Sequence, residues 1–415
     1  MKKQIAILGI ILLLVCVGLS GCTNSDNDGG SADTITPTGN YDIDYRGIKI
    51  YVHSLAWNDW LDESDWERFA SWKCNCIYLE THWTYRYYEP GTQSPAMMGY
   101  ECYEDQVGYY EEEALKKLDY AVEQVQAHGF FCWIGICTQW DPDTYTAWQW
   151  SNNPDTDGDG EANICVGSDY INWNLPDKGG GHGRERFGDF LVMMTDRYPD
   201  CGFTIWAFPY HHQSDNGDAA DEDQLYNVTL PYLIDRVREN HPTMPLQIDS
   251  LKQGLKVVDG WQVPTGQFTV IPYWDDPYLY YGWDTHDGSR MPTTSNWGAI
   301  ARSNTEWDGD MTNFMRCWQP MIDFSIAHPE AKFMANEYIG LCVHDSYCSG
   351  CGNRPITPSR ISWLRAIWNQ TLALNASWVY HIYTSPGIAE SLLDLDGSEN
   401  EIAYWLEYYN ELGSE

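Results

Sequence analysis

The chain has 415 residues, 43% of them hydrophobic, with 60 acidic residues against 24 basic ones and a formal charge of -36. That is enough chain and enough apolar residue for one large domain or two ordinary ones, and it excludes wholesale disorder. The negative charge excludes nucleic acid and an anionic membrane surface as partners. The 21 Trp and 29 Tyr are numerous enough to fill a core and also to line an open cleft, where flat rings stack on the apolar faces of sugars.

In chain order, residues 1–22 read as an export signal: Lys2 and Lys3, an apolar run from Ile5 to Val17, then Leu19-Ser20-Gly21-Cys22. This ending resembles the prokaryotic lipobox, which implies cleavage before Cys22 and a lipid on its thiol. The expected location is the outer face of the cell membrane, with the membrane met through the anchor only. Residues 23–43 are a polar tether. Outside the cell disulfides are the default, and of the 13 Cys, 11 follow Cys22, an odd number. Cys342, Cys348 and Cys351 with His344 have the ligand types for a zinc site as well.

From 44 to 415, short apolar runs alternate with helix-like segments. The runs are 47–55, 75–83, 130–138, 203–211, 245–251, 268–276, 332–340 and 377–385. The helices between them include 64–72, with Ser64 as N-cap and Glu67 three residues on. Another is 110–129, with Leu115, Leu118, Ala121, Val122 and Val125 at helical spacing and Gly129 as its stop. Further helices are expected over 184–198, 222–240, 314–329, 359–374 and 400–412, and no convincing one between Asp259 and Gly266. Eight strands alternating with helices predict an α/β fold, a (β/α)8 TIM barrel acting as a monomer, with its site at the carboxyl ends of the strands.

Several groups gather at those ends. Period-two alternation turns Ile77 and Leu79 toward the helices, so Cys76, Tyr78, Glu80 and His82 face inward. Glu337 ends the run KFMANEYIG, on the same alternation as Phe333. Asp249, Asp275 and Asp276 end other runs, with His53, His211, His212 and His381 nearby. Trp83, Trp140, Tyr273, Trp274 and Tyr383 are the aromatic candidates. A carboxylate pair among aromatics suits glycoside hydrolysis, in which one carboxylate attacks or activates water and the other donates a proton. Neither step needs a metal or cofactor.

The run FMANEYIG resembles the seventh strand of the cellulase-type (family five, clan A) glycoside hydrolases, in which a Glu followed by an aromatic residue is the nucleophile. That resemblance implies the role for Glu337. SWVYHIYTS resembles the aromatic-rich last strand of that clan. Tyr273 falls where such enzymes place a ring that hydrogen-bonds the nucleophile. The fourth strand departs from the pattern. The clan has Asn-Glu there, and FTIWAFPYHH carries Ala207 and Phe208 before Pro209. Phe cannot shuttle a proton. Glu80, at the end of the second strand and across the ring from the seventh, is therefore the expected proton donor, with Asp275 and Asp276 behind it.

The substrate-binding set is Trp83, Trp140, His211, Tyr273, Trp274, Asp275, His381 and Tyr383, and the partner is a polysaccharide or oligosaccharide. Two other readings stand beside this one. The first is a barrel that binds glycan without cutting it, which Phe208 favours. The second is a metal-assisted hydrolase using the histidines and aspartates of the mouth. Asp155, Asp157 and Asp159, followed by Gly160, have the spacing of a structural Ca2+ loop, although Val166 stands where a full EF-hand has Glu. Asn227, Asn369 and Asn375 head glycosylation sequons.

Overall fold

The computed structural model describes residues 41, 43–51, 61–82, 103–106, 109–110, 112–137, 183–206, 230–249, 252–258, 261–269, 272–284, 307, 309, 311–339, 356–381, 383, 392–394 and 396–414. These all fall within one compact unit, Pro37–Glu415. The strands are β1 (Arg46–Tyr51), β2 (Cys76–His82), β3 (Glu104–Gln106), β4 (Tyr109–Tyr110), β5 (Phe131–Cys137), β6 (Gly202–Trp206), β7 (Leu246–Asp249), β8 (Lys252–Val258), β9 (Trp261–Thr269), β10 (Leu279–Asp284), β11 (Lys332–Ile339) and β12 (Ser377–Tyr380). The helices are α1 (Glu63–Ser71), α2 (Glu112–Ala127), α3 (Gly183–Arg197), α4 (Leu230–Asn240), α5 (Met311–Ala327), α6 (Pro358–Ala373) and α7 (Glu401–Leu412).

Eight of the strands close into a parallel barrel in the order β1-β12-β11-β10-β7-β6-β5-β2. Every gap between consecutive barrel strands holds a helix except the one after β7. There β8 and β9 form an antiparallel hairpin, in the segment whose sequence carries no helix pattern. The last helix closes the ring. Asn400 caps it, Asn410 accepts from the Trp378 indole at 2.9 Å and donates to the Trp72 carbonyl at 2.8 Å, and Ile43 N–H donates to Gly413 O at 3.0 Å.

The predicted face of α2 is the buried one: Leu115, Leu118, Ala121, Val122 and Val125 all pack into the core. Each of the Leu and Val side chains contributes about 1.5–3 kcal/mol relative to an exposed one. Gly129 follows with φ 82, and the N–H of Phe130 returns to Val125 O at 3.2 Å, so the helix stops where expected. At α1 the expected cap is corrected. Asp62, not Ser64, is the N-cap, and Asp65 rather than Glu67 completes the reciprocal pair. A carboxylate two residues earlier takes the free N–H groups, and Ser64 joins it as a donor at 2.6 Å. After α6, Asn375 takes φ 51, a left-handed position that asparagine tolerates at a helix end. Asn369, within α6, accepts from the Tyr409 hydroxyl at 2.8 Å.

Arg197 at the end of α3 fastens that helix to α2. It donates to Asp119 at 2.8 and 2.6 Å and to Glu112 at 3.1 Å, and Tyr198 adds 2.8 Å to Asp119. The hydrogen bonds from Arg197 hold the Asp119 carboxyl below its ordinary value. A depressed folded-state value stabilises the fold above the unfolded carboxyl's pKa of about 3.9 and loses that contribution as pH falls through the lower folded value. Asp119→Asn is therefore expected to be less stable than the parent at pH 7, with the gap narrowing below about pH 4. Urea titrations between pH 3 and pH 7 measure this.

Two separate cores follow from the alternation. Ile77, Leu79, Ile134, Ile136, Phe203 and Ile205 face the helices. Cys76, Tyr78, Trp133, Tyr280, Met334 and Val379 fill the barrel. The amino-terminal half of the barrel is an aromatic plug: Tyr45 lies 5.0 Å from Trp133 and Trp133 lies 5.8 Å from Tyr280, both edge-on. Gly202 makes room for it, since a Cβ there would sit 2.7 Å from the Trp133 ring. Gly135 stands against the Tyr78 hydroxyl in the same way. Gly135→Ala is expected to cost about 3 kcal/mol through overpacking. The cost should fall when Tyr78→Ala is added, read from urea midpoints.

The sixth predicted strand is corrected. Residues 268–276 do not form a barrel strand. The segment splits between the outer end of β9 and a turn, and the barrel strand is β10, which begins at Leu279. Among the cysteines whose side chains are described, the expected disulfides are not formed: Cys74, Cys76, Cys132 and Cys201 are free and buried.

Candidate active site

Parallel strands bring eight carboxyl ends to one face, and the aromatic plug closes the other. Above the plug lies a polar layer. Thr204 donates to Gln247 Oε1 at 2.6 Å, and Gln247 Nε2 donates to the Met334 carbonyl at 3.4 Å. Lys49 and Glu80 form an ion pair inside the barrel, with side chains 0% and 1% exposed. Lys49 also lies 5.9 Å from the centre of the Tyr78 ring.

Glu80 therefore faces inward, as its alternation requires, but not as an acid open to solvent at the rim. It sits two residues below the end of β2, against an ammonium. Lys49 was missed by reasoning from the sequence. Its signal is the alternation Gly47, Lys49, Tyr51 between the outward Ile48 and Ile50, which puts a lysine among inward positions.

Glu337 owes its position to a bulge. On simple alternation it would share the phase of Phe333 and Ala335, both packed in the helix-facing core. The register breaks first. Trp283 pairs with Ala335, but the next residue of β10, Asp284, pairs with Glu337, so Asn336 is extra. Glu337 thus stands level with Asp284 near the carboxyl end of the strand. Asp249, at the end of β7, pairs with Gly282. Three acidic residues accordingly occupy the ends of three neighbouring strands. Asp284 was missed because the sixth strand was misplaced.

His381 follows β12 two residues after Val379 of the barrel interior, and it is buried. Tyr383 is not at the mouth. Its hydroxyl donates to Asp65 and accepts from Arg68 at 2.8 Å, and its ring stands 4.6 Å from Phe69, so α1 holds it outside the barrel. Burial, then Asp65, push that phenol's pKa well up. Tyr273, Trp274, Asp275 and Asp276 are corrected together. They lie in the turn entering β10, at the amino-terminal face. There Asp276 pairs with Arg238 at 2.8 Å, Tyr273 donates to Asp235 at 2.8 Å, Trp274 lies 4.1 Å from His328, and Tyr278 O accepts from the first residue of β7. Placing them at the mouth depended on 268–276 being a strand. Trp83, Trp140, His53, His211, His212, Ala207, Phe208, Asp155, Asp157, Asp159, the 342–351 cysteines, Asn227, Cys22, the signal and residues 23–40 of the tether lie outside the described residues; the tether's expected end is corrected, since Ile43 is buried in the core and bonded to Gly413. Among the described residues, no group of His, Cys, Asp and Glu is placed to hold a metal ion.

The arrangement defines a (β/α)8 barrel whose carboxyl-end face carries acidic residues. Solved structures share the fold. Endo-glycoceramidase II from Rhodococcus sp. superposes with a TM-score of 0.56 at 12% identity, over 89% of this chain and 81% of that one. Cel5A of Thermotoga maritima in complex with cellobiose gives 0.51 at 14%, over 88% and 97%. ZgEngAGH5_4 in complex with a cellotriose gives 0.51 at 10%, over 89% and 96%. No family model matches the chain, and no curated protein sequence matches it.

Proposed function

We propose that this chain is an exported, lipid-anchored glycoside hydrolase acting on a polysaccharide, with Glu337 as nucleophile or general base. The observation that carries this is the bulge in β11. Its register sets Glu337 level with Asp284 at the carboxyl end of the strand, which supports the role without testing it. The fold shared with glycan-bound barrels supports the substrate class.

Glu80 was expected to give the proton. Its pairing with Lys49 suits a fixed charge beneath the site instead. The proton donor we propose is Asp284. Registered neighbours on parallel strands have backbones about 4.8 Å apart. Glu337 then supplies the attacking or water-activating oxygen, and Asp284 protonates the leaving oxygen. Carboxyl groups about 5–5.5 Å apart give retention, and about 6.5–9.5 Å gives inversion.

A second reading is a barrel that binds glycan and does not cut it, which Phe208 favours, standing where the resembling clan has its acid/base. One experiment decides between them. The unmutated protein is assayed on plant and microbial glycans for new reducing ends and for binding. Turnover lost in Glu337→Gln with binding kept supports the hydrolase. Binding without turnover in the unmutated protein supports the binder. For the anchor, Cys22→Ala is expected to abolish labelling by a radioactive fatty acid; undiminished labelling would overturn it.

A further inference from the structure

Cys132 and Cys201 stand side by side where β5 meets β6. Trp133 registers with Gly202 on these parallel strands, so the residues immediately before them are neighbours. Both side chains lie in the helix-facing core, 1% exposed. The Gln126 amide of α2 approaches the Cys201 sulfur at 3.8 Å. Neighbouring strands lie about 4.8 Å apart, inside the roughly 4.4–6.8 Å that a disulfide spans between Cα atoms. Two further buried cysteines are differently placed. Cys76 is inside the barrel and Cys74 is against Asn410 at 3.5 Å.

We propose that Cys132 and Cys201 are a redox pair that closes into a disulfide linking β5 to β6 when the chain folds in the presence of a small-molecule disulfide. One thiolate attacks the oxidant's S–S bond, forming a mixed disulfide and releasing one small thiol. The second thiolate attacks the protein sulfur of that bond, forming the protein disulfide and releasing the second small thiol. Two protein S–H bonds and one oxidant S–S bond are replaced by one protein S–S bond and two small-molecule S–H bonds. The protein loses two electrons and the oxidant gains them. Burial holds the Cys132 thiol in its protonated form, so closure belongs to folding or local opening rather than to the packed barrel. The link needs an oxidant, which export would supply. It does not need the glycosidase reading.

The test is refolding of the full chain from the reduced, unfolded state in mixed oxidised and reduced glutathione. The product is then alkylated, digested and mapped by mass spectrometry. The expected result is a peptide joining Cys132 to Cys201. A melting temperature higher by several degrees than that of the reduced protein should accompany it, and the rise should be absent in Cys201→Ser. Alkylation of both cysteines, or a link from either to another cysteine, would overturn the proposal. The map of the unmutated protein decides even if the serine variant does not fold. Because the reaction is run on purified chain, failure here leaves the assays of turnover and anchoring untouched.

Discussion

Glu337→Gln is expected to lower glycan turnover by about 10⁴-fold or more, with glycan affinity and thermal stability nearly unchanged. The amide keeps the shape of the side chain and removes the charge that attacks carbon or deprotonates water. Asp284→Asn should separate the two roles. Loss of a proton donor hurts substrates whose leaving oxygen is a poor leaving group far more than activated aryl glycosides, since the latter depart without help. Loss of the attacking carboxylate hurts both alike. Initial rates on the two substrate types, for both variants, read this directly. Equal losses for Asp284→Asn on both would remove it as the donor.

Lys49→Met is expected to destabilise the fold by about 3–5 kcal/mol, because it removes the ammonium beside the buried Glu80 carboxylate. Glu80→Gln should cost a similar amount by leaving the ammonium. The double variant Lys49→Met with Glu80→Leu should recover most of the loss, since replacing both charges by apolar groups removes their desolvation penalty. Urea unfolding at pH 7 measures all three. The result also bears on chemistry. A proton donor replaced by its amide loses kcat with little loss of stability, whereas a buried structural charge does the reverse. Glu80→Gln with normal stability and abolished turnover would return Glu80 to the donor role.

The barrel was legible because its strands obey local rules. Ile77 and Leu79, or Ile134 and Ile136, sit on one side of period-two runs, and their alternates line the interior. The α2 stripe and its Gly129 stop are equally local. The sixth strand misled because residues 268–276 are apolar and aromatic without being in the barrel. A signal was there in the sequence: the dipeptide Asp259-Gly260 follows β8 and precedes β9, a pattern that marks a hairpin and moves the next barrel strand downstream. Recognising it would have removed Tyr273, Trp274 and Asp275 from the mouth and brought Asp284 into view. The phase of Glu337 was not legible. A bulge depends on how two strands pair, and alternation within one strand cannot reveal an extra residue. The Lys49–Glu80 pair was half visible: each residue sits at an inward position of its own run, but their meeting is a tertiary fact.

The most direct test is chemical rescue. Glu337→Ala is assayed on an aryl glycoside of the oligosaccharide that the parent hydrolyses, with and without sodium azide. If the carboxylate at this bulged position is the group that reaches the anomeric carbon or its water, azide entering the vacated space should restore turnover and leave a glycosyl azide as product. An alanine variant that cuts as fast as the parent in plain buffer would contradict the account.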